Sequence, residues 1–210
     1  DGIDLIVAGH TDHGLQTPVR HPDTQTLIVE TFGQGMHLGV LNLRYQSGQP
    51  LTVLSSDLVP VNADELPSDT AVLALIQTAR SEHPALAAIV GALAGHAPRK
   101  YYRESVVGNL VADALRAYAK TDIGMITPGA LRSDLASGPV TVEQIRNVFP
   151  FLDRVSTVRL TGAVLKEVVR KGLRREYGLP QYSGLTLTAE LEKPEGDRLI
   201  SIKINNLPVI

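Results

Sequence analysis

The segment Gly9–His13 combines two histidines with an aspartate directly after a short apolar run, Leu5–Ala8. His10 and Asp12 lie two residues apart, and imidazole with carboxylate suits a hard or borderline divalent metal ion. In α/β folds, catalytic loops often follow a strand end marked by glycine. The pattern favours a metal-binding loop, and a solvated loop histidine is the alternative for these residues taken alone.

A second segment whose side chains could bind a ligand, Thr127–Ser133, also follows a predicted strand. Gly129 permits a tight turn there, and the Arg132 guanidinium can bind an anion through two parallel hydrogen bonds. An ordinary surface turn with a solvated arginine is the alternative interpretation.

Aromatic residues are sparse, and two of the three phenylalanines flank Pro150. A turn made rigid by proline can present one ring, Phe149 or Phe151, as a stacking surface for a flat ligand. Core packing of both rings is the alternative.

Two basic segments carry no prediction of a site. The cations between Lys166 and Arg175 spread around a predicted helix, which is typical of a solvated face. Residues 99–103 mix bases with tyrosines as single-strand binders do, but nothing nearby extends that pattern, so we expect a loop.

The elements that position these segments fall into three blocks. Residues 1 to about 60 are rich in predicted strands: Ile3–Ala8 as a buried strand, Thr26–Thr31, Leu38–Tyr45 and Leu51–Leu54. A helix capped near Asp69 follows and ends at His83-Pro84, which suits a connector between domains.

The third block, from about residue 86, alternates helices with strands. We expect strands at 122–126, 155–160, 185–191 and 199–204, and helices at 105–120, after the Thr141 capping box, and at 161–175. The first of these helices is predicted to bury Leu110, Val111, Ala114, Leu115 and Tyr118. The last is predicted to bury Leu165, Val168, Val169 and Leu173.

Composition excludes several classes of protein. The 210 residues include no cysteine, which rules out a disulfide framework, a cysteine zinc cage and a thiol nucleophile. A net charge of −2 argues against a globally basic nucleic-acid binder, and no apolar run of about 18 residues predicts a membrane span. Because predicted strands lie almost at both ends, we expect this chain to be a piece of a longer polypeptide.

A series of motifs occurs in a fixed order along nearly the whole chain. They are Asp4–Asp12, Thr26–Leu43, Glu104–Ala114, Gly129–Arg132, Gly138–Thr141, Pro150-Phe151, Leu160–Leu165, Tyr182–Leu185 and Gly196–Arg198. Each is modest alone. In this order they resemble the 5′-nucleotidase / UDP-sugar hydrolase family of metallophosphoesterases.

The resemblance implies a fold and a division into domains. Residues 1–65 would be the C-terminal end of a metallophosphatase β-sandwich flanked by helices, with α/β and α+β character. Residues 66–85 would be a linker helix, and residues 86–210 a truncated, mixed α+β substrate-binding domain. The N-terminal half of the same polypeptide, which precedes Asp1 in such proteins, would supply the catalytic histidine and most metal ligands. The family's location further implies a periplasmic or extracellular protein.

The resemblance also implies roles for individual residues. His10 and Asp12 would bind two divalent metal ions (Zn, Mn, Mg or Ca) that activate water against a phosphate ester. Gly129, Arg132, Phe151 and Asp153 would bind the nucleotide or nucleoside, with Phe151 stacking on the base. No catalytic residue falls within this chain, so the isolated piece is expected to be inactive.

The chain departs from the family pattern at several positions. The segment Thr127–Arg132 stands where the family commonly has Asn-Gly-Gly-x-Arg. Val106 stands where some members carry arginine, and Leu152-Asp153 where many have Gly-Asn. These departures leave other substrates open: 2′,3′-cyclic nucleotides, UDP-sugars or a thiosulfate ester on a carrier protein. A non-catalytic nucleoside-binding module is a further alternative.

Overall fold

The computed structural model describes residues 2–11, 14–62 and 64–209 of a mixed α/β chain. The chain divides into two compact units, residues 1–78 and 79–210. In the part of the chain that the structure describes, no helix has the length and apolar character needed to cross a membrane.

A three-stranded sheet in the first unit positions the His10 segment. Its strands are β1 (Leu5–Ala8), β2 (Val19–Arg20) and β3 (Leu27–Glu30), in the order β1-β3-β2. β1 and β3 are parallel, with Ala8 opposite Glu30, and β2 is antiparallel to β3. Because parallel neighbours end at the same edge, the residues that follow β1 emerge beside the end of β3.

A hairpin and a helix complete the first unit. The strands β4 (His37–Arg44) and β5 (Thr52–Pro60) pair antiparallel, as the alternation of apolar and polar residues predicts. Helix α1 (Thr70–Glu82) begins after Asp69, whose carboxylate accepts hydrogen bonds from the N–H groups of Ala71 and Val72 at 2.8 and 3.0 Å. The boundary between the two units falls inside this helix.

The second unit has two hydrophobic cores. The elements around the first are β6 (Ile89–Leu93), α2 (Val106–Ala119), β7 (Gly124–Ile126), β8 (Gly138–Thr141) and α3 (Val142–Val148). β6 and β8 pair antiparallel, and Thr141 with Gln144 forms the predicted capping box of α3. The buried side chains of this core are Ala97, Val107, Leu131, Leu135, Val140 and Val148.

The second core lies under α4 (Gly162–Gly172) and a small antiparallel sheet. That sheet contains β10 (Thr186–Ala189), β11 (Leu199–Ile204) and β12 (Leu207–Pro208), while β9 (Gln181–Ser183) pairs with β7. Helix α4 buries Leu165 and Val169, and Leu173 follows them into the core, which confirms three positions of the predicted face. The fourth, Val168, is only half-buried. The basic side chains of this segment are mostly exposed, as expected.

The apolar face predicted for α2 is only partly buried: Val111 and Leu115 are half-buried, whereas Leu110, Ala114 and Tyr118 are exposed. Tyr118 is 78% exposed, and the fully buried positions are Val107, Gly108 and Ala112. The buried face of α2 consists of small residues, which allow neighbouring segments to pack close to the helix. A Cβ on Gly108 would lie 2.3 Å from the Cγ of Gln181. A pattern of large apolar side chains does not reveal such a contact.

Two further predictions fail. Residues 151–161 form no regular structure, so the strand expected at 155–160 is absent; Val158 there is 75% exposed. Residues rich in β-branched side chains become a strand only when another strand pairs with them, and none does among the described residues. The strand expected at Ile3–Ala8 forms as β1, but its side chains are not buried, with Val7 77% exposed.

Candidate functional site

The loop after β1 holds the first group of predicted site residues. His10 has a φ of 77°, a left-handed conformation that is unusual for a residue other than glycine. The Thr11 hydroxyl donates a hydrogen bond of 2.6 Å to the Oε1 atom of Glu30. The backbone N–H of Leu15 donates to the carbonyl oxygen of the same Glu30 at 2.9 Å. The loop is therefore attached to the end of β3 at two points.

The donor atoms at this edge fit a divalent metal ion. The imidazole of His10 follows β1, and the carboxylate of Glu30 ends the adjacent parallel strand. Asp12, the other predicted ligand, lies outside the described residues. Among residues 2–11, 14–62 and 64–209, no three histidine or acidic side chains gather as a metal site. The donor types are right, and a complete site would need ligands in addition to those described.

The turn that carries Gly129 and Arg132 lies in the second unit. Residues Pro128–Ala130 form a short 3-10 helix, anchored on each side by the fully buried Pro128 and Leu131. The backbone N–H of Arg132 donates to the carbonyl oxygen of Val148 at 2.8 Å, where α3 ends. Anchoring by the core fixes the backbone of Arg132, so the turn is more than an ordinary surface connection.

The structure brings Arg132 and Phe151 together. The guanidinium carbon of Arg132 lies over the Phe151 ring, 5.3 Å from its centroid, which is cation–π geometry. Phe149 meets Phe151 edge to face, with centroids 6.2 Å apart and planes at 75°. Phe149 packs against the core, whereas Phe151 is 40% exposed. The Phe-Pro-Phe segment therefore buries one ring and presents the other.

The other predicted site residues have fewer contacts with Arg132 and Phe151. Gly129 shares the turn with Arg132, and a Cβ added to it would lie 3.8 Å from the hydroxyl of Tyr101. Asp153 is exposed, two residues beyond Phe151, within the stretch that has no regular structure. His10 and Asp12 belong to the first unit.

Sequence reasoning missed three residues around these positions. Sequence patterns place Glu30 only in a strand and Tyr101 only in a loop. Asp134 accepts a hydrogen bond from the backbone N–H of Arg99 at 2.7 Å and lies 3.1 Å from the Nε2 atom of His96. It thereby ties the segment before Tyr101 to the residues after Arg132. For Glu30 the available signal was an acidic residue at the end of a strand. Tyr101 and Asp134 contact parts of the chain that are distant in sequence, which no local pattern reveals.

Comparison with known proteins assigns the chain. Residues 79–209 match the family described as 5′-nucleotidase, C-terminal domain. The chain belongs to the 5′-nucleotidase family. It is 28% identical over 221 residues to the trifunctional nucleotide phosphoesterase protein YfkN of Bacillus subtilis (strain 168), covering 98% of this chain and 15% of that protein.

Two solved structures share the fold. The 5′-nucleotidase precursor of Thermus thermophilus superposes with a TM-score of 0.81 at 22% identity, covering 100% of this chain and 48% of that one. The sulfate thiohydrolase SoxB of Thermus thermophilus gives a TM-score of 0.77 at 20% identity, covering 100% of this chain and 41% of that one. The chain thus spans less than half the length of these relatives.

Proposed function

We propose that this chain provides the nucleoside-binding part and the last metal-binding segment of a dimetal phosphoesterase that hydrolyses nucleotide phosphate esters. One observation carries the proposal: the Phe151 ring is accessible and lies under the guanidinium of Arg132. This pair occurs in a domain of the 5′-nucleotidase family, in which relatives are named for nucleotide hydrolysis.

The two side chains supply complementary interactions for a nucleotide. A base stacked on an aromatic ring gains about 1–3 kcal/mol, and Phe151 presents such a ring beside a proline. The guanidinium of Arg132 can form charge-assisted hydrogen bonds with phosphate or other anionic groups. The hydrogen bond from the Arg132 N–H to Val148 holds the backbone from which this guanidinium extends.

Gly129 and Asp153 complete the proposed substrate contacts. A glycine at position 129 leaves space above the turn, since only the Tyr101 hydroxyl approaches the place of a Cβ. The exposed carboxylate of Asp153 can accept hydrogen bonds from hydroxyl or amino groups of a nucleoside.

In the intact polypeptide His10 would bind one metal ion, and Asp12 would bind the other or orient its ligand, together with ligands from the N-terminal half. When bound, two divalent metal ions supply an activated water and offset the charge on the phosphoryl oxygens. In this proposal, the role of the present chain is to hold the His10 imidazole at the end of β1. A periplasmic or extracellular location belongs to the same proposal and rests on the family resemblance alone.

Substitution of Phe151 by alanine in the intact polypeptide tests the nucleoside site. We expect KM for a nucleotide to rise about tenfold or more with kcat nearly unchanged, because stacking far from phosphorus is equal in ground and transition states. Activity on p-nitrophenyl phosphate, which has no base, should stay the same. Leu152→Ala is the matched control, since this neighbouring side chain is 99% exposed.

A thermal melt separates binding from folding. If Phe151→Ala lowers Tm strongly and both substrates lose activity together, the ring is a packing residue and the nucleoside-binding proposal fails. Similarly, His10→Ala should reduce turnover by orders of magnitude, whereas Lys166→Ala should not. Equal effects of these two changes would contradict the metal role of His10.

A different phosphoric or thiosulfate ester is the second candidate substrate. The observation that favours it is the turn itself: the segment Thr127–Arg132, with its fully buried Pro128, contains no asparagine, whereas the family commonly has Asn-Gly-Gly-x-Arg there. Likeness to a trifunctional phosphoesterase agrees with a substrate other than AMP. Comparing kcat/KM for AMP, a 2′,3′-cyclic nucleotide and a UDP-sugar in the intact polypeptide decides between them.

A further inference from the structure

Glu30 holds the His10 loop through both its side chain and its backbone. Its carboxylate accepts the Thr11 hydroxyl at 2.6 Å, and its carbonyl oxygen accepts the Leu15 N–H at 2.9 Å. The first hydrogen bond is charge-assisted and therefore stronger than a neutral one. Both contacts depend on the parallel pairing that puts Glu30 opposite Ala8, the last residue of β1.

The loop needs such support because its backbone is strained. The left-handed conformation of His10, with φ 77°, persists only where surrounding structure enforces it. Gly14, with φ 60°, lies against Phe32, so that a Cβ there would be 2.9 Å from the Phe32 backbone nitrogen. The loop is thus fixed at Thr11, next to His10, and again where it returns at Gly14 and Leu15.

We propose that Glu30 is a positioning residue for the metal-binding imidazole, acting through Thr11 rather than by binding the metal ion itself. The inference rests on the proposed function, in which His10 binds a divalent cation. Residues that orient a metal ligand without touching the metal commonly change metal affinity 10- to 100-fold when removed. Glu30 fits that role because its carboxylate is already engaged by the Thr11 hydroxyl.

Four variants of the intact polypeptide test the role of Glu30. Glu30→Gln and Thr11→Ser keep the hydrogen bond, since an amide oxygen still accepts and a serine hydroxyl still donates. Glu30→Ala and Thr11→Val abolish it. Metal affinity is measured by competition with a chelator, and the coordination geometry by the visible spectrum of the Co²⁺-substituted protein.

We expect Glu30→Ala and Thr11→Val to weaken metal binding 10- to 100-fold and to alter the Co²⁺ spectrum, with the double variant no worse than either single one. Glu30→Gln and Thr11→Ser should bind within about threefold of the parent. Glu65→Ala, an exposed acidic residue of the same unit, is the control and should change neither measurement.

Several results would overturn the inference. If Glu30→Gln is as harmful as Glu30→Ala, the carboxylate charge is required and Glu30 is itself a ligand. If Glu30→Ala lowers Tm but leaves metal affinity and the Co²⁺ spectrum unchanged, the contact is structural only. The variant His10→Ala distinguishes failure of the proposed function from failure of this inference. If His10→Ala leaves metal affinity unaltered, the proposed function is wrong. If His10→Ala weakens metal binding but Glu30→Ala has no effect, only the role of Glu30 is rejected.

Discussion

Gln181 is a buried amide on which part of the second unit depends. It is 2% exposed, and its Oε1 atom accepts the backbone N–H of Ser105 at 2.8 Å. Its Nε2 group donates to the carbonyl oxygens of Arg103 at 3.1 Å and of Leu179 at 2.8 Å. One side chain therefore satisfies three backbone groups, two of them directly before α2.

The cost of removing this amide follows from those contacts. In Gln181→Leu, a change of similar volume, the Ser105 N–H remains buried without a partner, which costs about 1–3 kcal/mol. The two carbonyl groups are partly buried and each loses about 0.5–1.5 kcal/mol. Together these losses lower the free energy of unfolding by about 2–6 kcal/mol, and each kcal/mol lowers Tm by about 2–4 °C in a chain of this length.

Chemical denaturation followed by circular dichroism measures this loss, with Thr188→Val as an exposed control in the same unit. Gln181→Glu should destabilise more at neutral pH, because its carboxylate would face two carbonyl oxygens instead of donating to them. A Gln181→Leu variant within 1 kcal/mol of the parent, with an unchanged m-value, would refute the reasoning that these hydrogen bonds hold the segment.

Three further predictions concern the same unit. Burial raises the pKa of Tyr182 to about 12, and its hydroxyl has no hydrogen-bond partner among the described residues. Because the tyrosine of the unfolded chain ionises near pH 10, the free energy of unfolding should fall by about 2 kcal/mol as pH rises from 10 to 12. Urea titrations should show that this loss is absent from Tyr182→Phe. Gly178→Ala should destabilise by more than 2 kcal/mol in the same titrations, since φ is 82° and a Cβ would lie 2.4 Å from the Cγ of Pro128. Thr141→Ala should lose about 1 kcal/mol with the capping box, measured by thermal melt against the exposed Thr188→Ala.

Local signals in the sequence predicted most helices and strands. Caps marked the starts of α1 and α3, and the segments that contain His10 and Arg132 were correctly placed after strand ends. The failures have one cause. Residues 155–160 lack a partner strand among the described residues, and α2 packs through glycine and alanine; neither fact is local, because each depends on what another segment of the chain does.

The same distinction explains which candidate site residues could be selected from the sequence. His10, Arg132 and Phe151 carry chemistry in their own side chains, so residue type and motif were enough to select them. Glu30 matters only because β1 and β3 are parallel, which brings it to Thr11 across 19 residues of sequence.

Long-range contacts hold the candidate nucleoside site in the same way. The N–H of Arg132 reaches Val148, and the N–H of Leu179 donates to the carbonyl oxygen of Tyr101 at 2.8 Å. These hydrogen bonds join backbone N–H and C=O groups, which do not depend on the side chain, so residue type alone does not reveal them. A substitution that shifts one of them should therefore disturb ligand binding without touching a ligand, and Gly178, packed against both Pro128 and Tyr101, is the position where that effect should be largest.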